Sequence, residues 1–424
     1  MTEADTVQGI PERELPPLSR APFAALVAFT AVLFLAPQTI FPVLGQLRVA
    51  LLAIAVAIGS FVLERLVRRE PLFAPNADLG LAWLLAAWAA LLVPLSYWPG
   101  GSASFLFAVF FKSLVVFSLV ALVVDSPRRL GLLATWLTLF SVPLALTAIS
   151  HYANGDFVAD SSGVRRITGY DAPLTTNPND LALTLNLLQP LAVALARLER
   201  RAPVKIALFG IAALDACAVV ATFSRSGLLT LGVLLAVYLS HTRRRAVWAA
   251  LGVAAALVAI PLFPSGYLRQ MSTIADPGSD PTGSAQSRLG DMFTAGEMVM
   301  ENPVVGAGAG MNILALNEKR GAKWLEVHNV YLEFATDLGL PGLLLFLGLF
   351  WRAFRHASLV RRSTESRELA VLADGIRASL IAFAVAACFH PAAYAFYFWF
   401  VAGLSLAVHS MWEHLHADSA LQIA

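Results

Sequence analysis

One histidine has a position and a spacing that suit acid–base chemistry. His328 precedes Asn329 where a long polar segment gives way to an apolar run, and nine residues separate Asn329 from Gly339, with Gly342 three positions further on. Imidazole titrates nearest neutral pH, so histidine is the usual proton acceptor when a hydroxyl group must become a nucleophile. A hydrogen-bonded structural role for His328 is the alternative that its type and place leave open.

Four arginines are candidates for binding an anion on the same side as His328. Arg225 stands between two apolar runs with hardly any loop around it, and Arg288 lies near the start of a stretch with helical periodicity. Arg165 and Arg166 form a pair in a turn-rich segment. A guanidinium binds phosphate through two parallel hydrogen bonds and keeps its charge at any relevant pH. The alternatives are snorkelling of Arg225 to the lipid headgroups, solvation of Arg288, and salt bridges from the pair to Asp156, Asp160 or Asp171.

Two ionisable residues fall well inside apolar runs. They are Lys112, in Phe110–Ser113, and Asp215, in Ala213–Ala216. Such groups are costly in lipid and usually face a cavity or a partner. An ion pair within or between helices is one interpretation, and a role in ion-coupled transport or in the site around His328 is the other.

Several motifs of metal and nucleotide chemistry are missing from the sequence. It contains no Asp-x-Asp, no GxxxxGK[ST] phosphate loop and no HExxH zinc motif, and His414-x-His416 is too sparse to indicate a metal. These absences disfavour ATP, zinc and nucleotide sugars. We therefore expect neither a metal nor a cofactor.

The elements that position these residues follow from composition. Of 424 residues, 58% are hydrophobic and only 14% are charged, which excludes a soluble globular enzyme, and the net charge of +2 is too small to indicate nucleic-acid binding. Isolated apolar runs of about 20 residues can span a membrane only as helices. The predicted fold is an all-α polytopic membrane protein with about twelve spans, at 21–41, 47–67, 79–97, 104–124, 130–150, 180–198, 206–223, 227–241, 246–263, 329–351, 376–390 and 393–412.

Charge in the loops predicts the orientation. Lysine and arginine concentrate in one set of alternate loops, which the positive-inside rule places in the cytoplasm. Residues 284–302 have apolar positions at roughly helical spacing and predict an amphipathic surface helix with other short helices nearby. The predicted organisation is a cytoplasmic leader at 1–20, transmembrane helices 1–9 in 21–263 with an outward loop at 151–179, a large outward loop at 264–328, helices 10–12 in 329–412, and a cytoplasmic tail at 413–424.

The chain resembles a known family. The segment His328–Gly342 resembles the HNx9GxxG signature of bacterial O-antigen ligases, in the wider family that includes Wzy-type polymerases and protein O-oligosaccharyltransferases. Arg225–Leu229 is similar to the family's Arg-x3-Leu element at the outer end of a span. Resemblance at the level of motifs runs from about Arg165 to Gly342, while the first 150 residues match only in hydropathy.

The resemblance implies a metal-independent, inverting glycosyl transfer by a GT-C-like protein at the periplasmic face of the bacterial inner membrane. The donor would be a glycan on undecaprenyl diphosphate, and the acceptor would be a sugar hydroxyl of lipid A–core. His328 would be the general base, and Arg225 and Arg288 would bind the diphosphate and stabilise its charge. Further candidates for binding diphosphate or sugar are Arg165, Arg166, Lys112 and Asn329.

Three alternatives stay open from the sequence. A polymerase would use the same donor but extend a second lipid-linked chain, and a protein O-oligosaccharyltransferase would modify a polypeptide hydroxyl. A transporter or lipid flippase would depend on Lys112 and Asp215 rather than on His328. The sequence shows no evident internal repeat, which disfavours the transporter because many transporters are built from repeated halves.

Overall fold

The computed structural model describes residues 19–72, 76–159, 165–240 without 171, 173 and 176, and 283–423, with the single positions 246, 272 and 278. The predicted span at 246–263, the first part of the loop at 264–328 and nearly all of the leader at 1–20 lie outside these residues. The described helices are α1 (Arg20–Leu35), α2 (Pro37–Ile40), α3 (Pro42–Gln46), α4 (Val49–Val67), α5 (Ala77–Leu91), α6 (Pro99–Phe105), α7 (Phe111–Val123), α8 (Pro127–Asn154), α9 (Pro178–Leu198), α10 (Ala202–Ala221), α11 (Arg225–Ser240), α12 (Ser284–Glu301), α13 (Asn312–Arg320), α14 (Val330–Ser363), α15 (Arg367–Ala386) and α16 (Phe396–Ile423).

The predicted all-α membrane architecture is confirmed. Eight helical segments of the described chain are long and apolar enough to cross a membrane. A 3₁₀ turn (Val93–Leu95) follows α5, a π-helical turn (Leu106–Phe110) joins α6 to α7, and a two-residue antiparallel ladder pairs β1 (Val158–Ala159) with β2 (Arg165–Arg166). The eight segments are Val49–Val67, Ala77–Leu95, Pro99–Val123, Pro127–Asn154, Pro178–Leu198, Ala202–Ala221, Val330–Ser363 and Arg367–Ala386.

Local sequence explains where the helices begin. Asn76, Ser126 and Asn329 each precede a helix, and their side-chain oxygens accept hydrogen bonds from backbone N–H groups of the first turn. These N–H groups have no partner within the helix, so a polar cap satisfies donors that the membrane interface otherwise leaves unpaired. Proline occupies the first helical position of α8 and α9, where its missing N–H costs nothing.

Two smaller apolar clusters accompany the main core of the helix bundle. One joins α8, α9, α10 and the segment around Ile167 with Phe223, just before α11. The other joins Met298 of α12, Leu316 of α13 and Val327, immediately before His328. The amphipathic segment predicted at 284–302 is thus a helix that packs Met298 against the chain leading to His328, while Phe293 and Met300 are exposed.

A break in α14 shapes the end of the bundle near His328. Gly339 has φ 69° and ψ −177°, a backbone conformation that is essentially restricted to glycine, and it divides α14 into two parts. The freed Leu340 N–H donates to Pro303 O at 2.7 Å, and Leu338 O accepts from Trp88 Nε1 at 2.9 Å. The broken turn is therefore held by a loop on one side and by α5 on the other.

Candidate functional site

His328 is fixed by the start of α14. Asn329 Oδ1 accepts hydrogen bonds from the backbone N–H groups of Tyr331 and Leu332, both at 3.0 Å. Asn329 Nδ2 donates to Cys388 O at 3.4 Å, and Val330 N donates to Ala387 O at 2.8 Å. Asn329, which we expected to contact substrate, thus has its amide engaged in capping the helix and in attaching His328 to the turn after α15.

The imidazole of His328 is arranged as a proton acceptor. Its Nδ1 lies 3.0 Å from Glu326 O. Because a carbonyl oxygen only accepts, Nδ1 carries the hydrogen and Nε2 keeps its lone pair. Burial and the nearby positive charge of Arg288 lower the pKa of His328 to about 4. The ring is therefore neutral near pH 7 and ready to take a proton.

Arg288 and the neighbouring charges surround this histidine. Arg288 is half-buried on α12 and interacts electrostatically with both His328 and His390. Asp291, one turn further along α12, forms an ion pair with Arg320 of α13. This pair helps to fix α12 in the orientation that directs Arg288 towards the two histidines. Burial also raises the pKa of the Glu326 carboxyl.

His390 is a second histidine of the site that sequence reasoning missed. It is buried, with Nδ1 3.0 Å from Ala386 O and Nε2 3.0 Å from Asn179 O. Satisfying both carbonyls at once requires the imidazolium, yet burial and Arg288 lower its pKa. The available signal was a histidine between the last two apolar runs, on the side predicted to face outward.

The start of α11 attaches Arg225 to the same end of the bundle. Ser224 Oγ donates to Asn179 Oδ1 at 2.7 Å, and the carbonyl of Asn179 binds His390. Gly227 permits this approach, since a Cβ there would lie 2.5 Å from Ala182 Cβ of α9. Ser224, just before α11, and Asn179 of α9 therefore link the start of α11 to His390, and His390 interacts with His328.

The glycines of the HNx9GxxG pattern have packing roles. A Cβ at Gly339 would overlap Val304 O and lie 2.9 Å from Pro303 O, and one at Gly342 would overlap the side chain of Leu338. Beside them, buried Asp337 accepts hydrogen bonds from Gly310 N at 2.8 Å and from the backbone and side chain of Asn312. The pattern thus anchors the glycine-rich loop against the broken turn of α14.

The other predicted site residues are Arg165, Arg166 and Lys112. Arg166 is buried in β2, next to Ile167, which packs in the same cluster as Phe223. Arg165 is its neighbour in the β1–β2 ladder. Lys112 is exposed on α7, whereas the adjacent Ser113 faces inward and donates to Tyr394 O at 2.7 Å. Among the described contacts, none brings Lys112 to the histidines.

The intramembrane pair that a coupled transporter would need is not formed. Asp215 of α10 is buried and accepts a hydrogen bond from Ser141 of α8 at 2.9 Å, while Lys112 is exposed on α7. Across the described ranges, no group of three or more His, Cys, Asp or Glu side chains is arranged to hold a metal ion.

Comparison with known families agrees with this geometry. Residues 210–347 match the family described as O-antigen ligase. This match covers about a third of the chain. The matched range includes three of the predicted site residues, Arg225, Arg288 and His328, together with the motif glycines. No curated protein matches the chain.

The eight apolar helical segments indicate an integral membrane protein, and residues 210–347 are similar to O-antigen ligases. The matched range includes His328–Gly342 and so supports the resemblance drawn from that segment.

Proposed function

We propose that this protein is an O-antigen ligase that transfers a glycan from undecaprenyl diphosphate to a sugar hydroxyl of lipid A–core, at the periplasmic face of the inner membrane. The observation that carries the proposal is the neutral His328, whose Nε2 is an acceptor, beside the permanent charge of Arg288. A base and an anion-binding group side by side suit a reaction in which a hydroxyl attacks and a diphosphate leaves.

The reaction needs no group beyond these side chains. His328 Nε2 takes the proton from the acceptor hydroxyl while the hydroxyl oxygen forms a bond to the anomeric carbon. The bond between this carbon and the diphosphate oxygen breaks, with inversion, and the electron pair leaves on the diphosphate. Arg288 and Arg225 bind the diphosphate and stabilise the charge that develops on it. The diphosphate bond of the donor supplies the driving force, so the transfer needs no ATP.

Other residues have supporting roles in this proposal. Asn329 and His390 hold the two chain segments that meet at His328. Arg165 and Arg166 are candidates for contact with sugar or diphosphate beyond the reacting atoms. Lys112, exposed on α7, is at most a contact for the lipid part of a substrate.

Purified full-length protein in lipid nanodiscs tests the proposed activity. With lipid-linked donor, lipid A–core and a metal chelator, we expect formation of ligated product, followed by gel mobility and mass spectrometry. Donor supplied alone should stay unchanged in length. Lengthening of the donor would instead establish a polymerase, and glycosylation of a serine-containing peptide would establish an oligosaccharyltransferase.

The lowered pKa of His328 predicts an unusual pH profile. A general base is active when unprotonated, so activity falls as the pH drops through its pKa. We expect kcat/KM, which reports the free enzyme, to stay high below pH 6.5, the ordinary pKa of histidine, and to halve near pH 4. Arg288→Gln removes a cause of the shift, so its residual activity should halve at higher pH than in the wild type.

Preincubation at each pH, followed by assay at pH 7.5, separates protonation from unfolding in this experiment. Half-loss of kcat/KM at pH 6.5 in the wild type would contradict the arrangement of His328 beside Arg288. An identical profile in Arg288→Gln would show that Arg288 does not act on the base.

A further inference from the structure

A large open cavity lies at the end of the bundle opposite His328. Helices α9 and α15 run between the two ends, with Asn179 and Ala386 near His390 and with Leu198 and Arg367 at the cavity. The cavity has a volume of about 1010 Å³ and is bounded by α8, the turn between α9 and α10, and the start of α15. We call it the arginine groove, after its four arginines, Arg128, Arg200, Arg201 and Arg367.

The arginines of the groove differ from their neighbours in how they are neutralised. Arg129 is paired with Asp125 at 2.7 Å, and Arg197 is paired with Asp374 at 2.7 Å. Arg128 of α8 and the neighbours Arg200 and Arg201 of the α9–α10 turn differ. None of them forms a comparable ion pair within the part of the chain that the structure describes. Positive charge from α8 and from the α9–α10 turn thus meets in one cavity, where Arg201 also interacts electrostatically with Glu199.

Two carboxylates, Glu199 and Glu368, also line the groove. Glu199 Oε1 accepts hydrogen bonds from the backbone N–H groups of Arg200 and Arg201, both at 2.8 Å, and so stabilises its own turn. Glu368 lies in the first turn of α15, where the helix dipole favours negative charge, and its Oε1 lies beside Gly131 of α8. Four cations against two such acids leave the groove positive.

The rest of the lining is apolar. Leucine and valine side chains continue from the arginines along the helices towards the middle of the bundle, and two of them, Leu132 and Val204, are 43% and 41% exposed. A ligand that complements both the arginines and the apolar lining carries negative charge at one end and hydrocarbon at the other. This end also bears the arginine-rich loops predicted to face the cytoplasm, where anionic lipids occur.

We propose that the arginine groove binds one anionic phospholipid of the inner leaflet. Arg128 of α8 and Arg201 of the α9–α10 turn hold the phosphate with help from Arg200 and Arg367, and an acyl chain lies along Leu132 and Val204. Arginine suits this role because its planar guanidinium binds phosphate through two hydrogen bonds. The site is separate from the transfer centre and does not depend on the proposed activity.

Native mass spectrometry of the full chain in detergent tests the site. The probe is dioleoyl phosphatidylglycerol, with dioleoyl phosphatidylcholine as the neutral comparison. We expect one phosphatidylglycerol to bind in preference to phosphatidylcholine, and we expect R128Q/R201Q to bind it on the order of tenfold more weakly. The matched control R355Q/R362Q removes two arginines of α14 that do not line the groove, and it should bind like the wild type.

Equal loss in both double variants, or loss in neither, would overturn the proposal, because the attraction would then be a diffuse effect of basic loops. Displacement of the lipid by millimolar inorganic phosphate would show a phosphate site instead. A photoreactive phosphatidylglycerol on the wild type gives a readout that needs no folded variant. Labelling of α8 and α10 peptides is expected, and labelling confined to other helices would overturn the site.

Discussion

His328→Ala is expected to lower the rate of glycan transfer by about 10²- to 10⁴-fold, the usual contribution of a general base. Without the Nε2 lone pair, the acceptor hydroxyl must lose its proton to water during attack. The start of α14 is held by Asn329, Val330 and Ala387 rather than by the imidazole, so the fold should persist. The measurement is initial rate of product formation at saturating donor and acceptor.

His414→Ala is the matched control for this change, since His414 is an exposed histidine of α16 at the other end of the chain's fold from the site. It should retain wild-type activity. Thermal unfolding in detergent and retention of the lipid-linked donor distinguish lost chemistry from lost structure. Transfer at more than a tenth of the wild-type rate in folded His328→Ala would remove this residue from the mechanism.

Gly339→Ala is expected to destabilise the protein by about 3 kcal/mol or more. The φ of 69° with ψ of −177° costs a residue with a side chain about 1–3 kcal/mol, and the new Cβ would also overlap Val304 O. Removing this overlap requires the loop at Pro303 and Val304 to move, and this movement breaks the hydrogen bond from Leu340 N to Pro303 O. The loop anchors the chain before His328, so activity should fall with stability.

Gly348→Ala gives the comparison on the same helix. A Cβ at Gly348 would meet only Leu81 Cδ2, at the ordinary contact distance of 3.6 Å. Its melting temperature in detergent should therefore stay near that of the wild type or rise slightly, because alanine favours helix. If the two variants melted at the same temperature, the break in α14 would have no role in stability.

Much of the fold follows from local sequence. Apolar runs predict the spans because a backbone in lipid must satisfy its own hydrogen bonds, and eleven of the twelve predicted segments overlap described helices. Their bounds differ in places, since the run predicted at 376–390 is the helix Arg367–Ala386. Asn329 ahead of an apolar run is itself a capping signal. The conformation of Gly339 was harder to predict from sequence. Gly339 and Pro341 together indicate a break in the helix, but they do not indicate which loop packs against it.

The residues of the candidate site could be predicted only in part from the sequence. His328 and Arg288 are 40 positions apart, and the family resemblance rather than any local pattern joined them. His390 was missed because its role depends on Asn179, which is 211 residues away and is brought close only by the packing of α9 against α15. Lys112 looked buried because its neighbours are apolar, but those neighbours include the residues that face lipid.

By itself, the sequence determined the helical membrane class, the positions of most spans, and the residues with suitable chemistry, because hydropathy and capping act over a few neighbouring residues. Only the tertiary structure decided which of these residues meet and in which protonation state. The pKa of His328 depends on burial and on the charge of Arg288, and both arise from packing between segments distant in the chain. Electrostatic interaction depends on distance in space, which chain order does not specify.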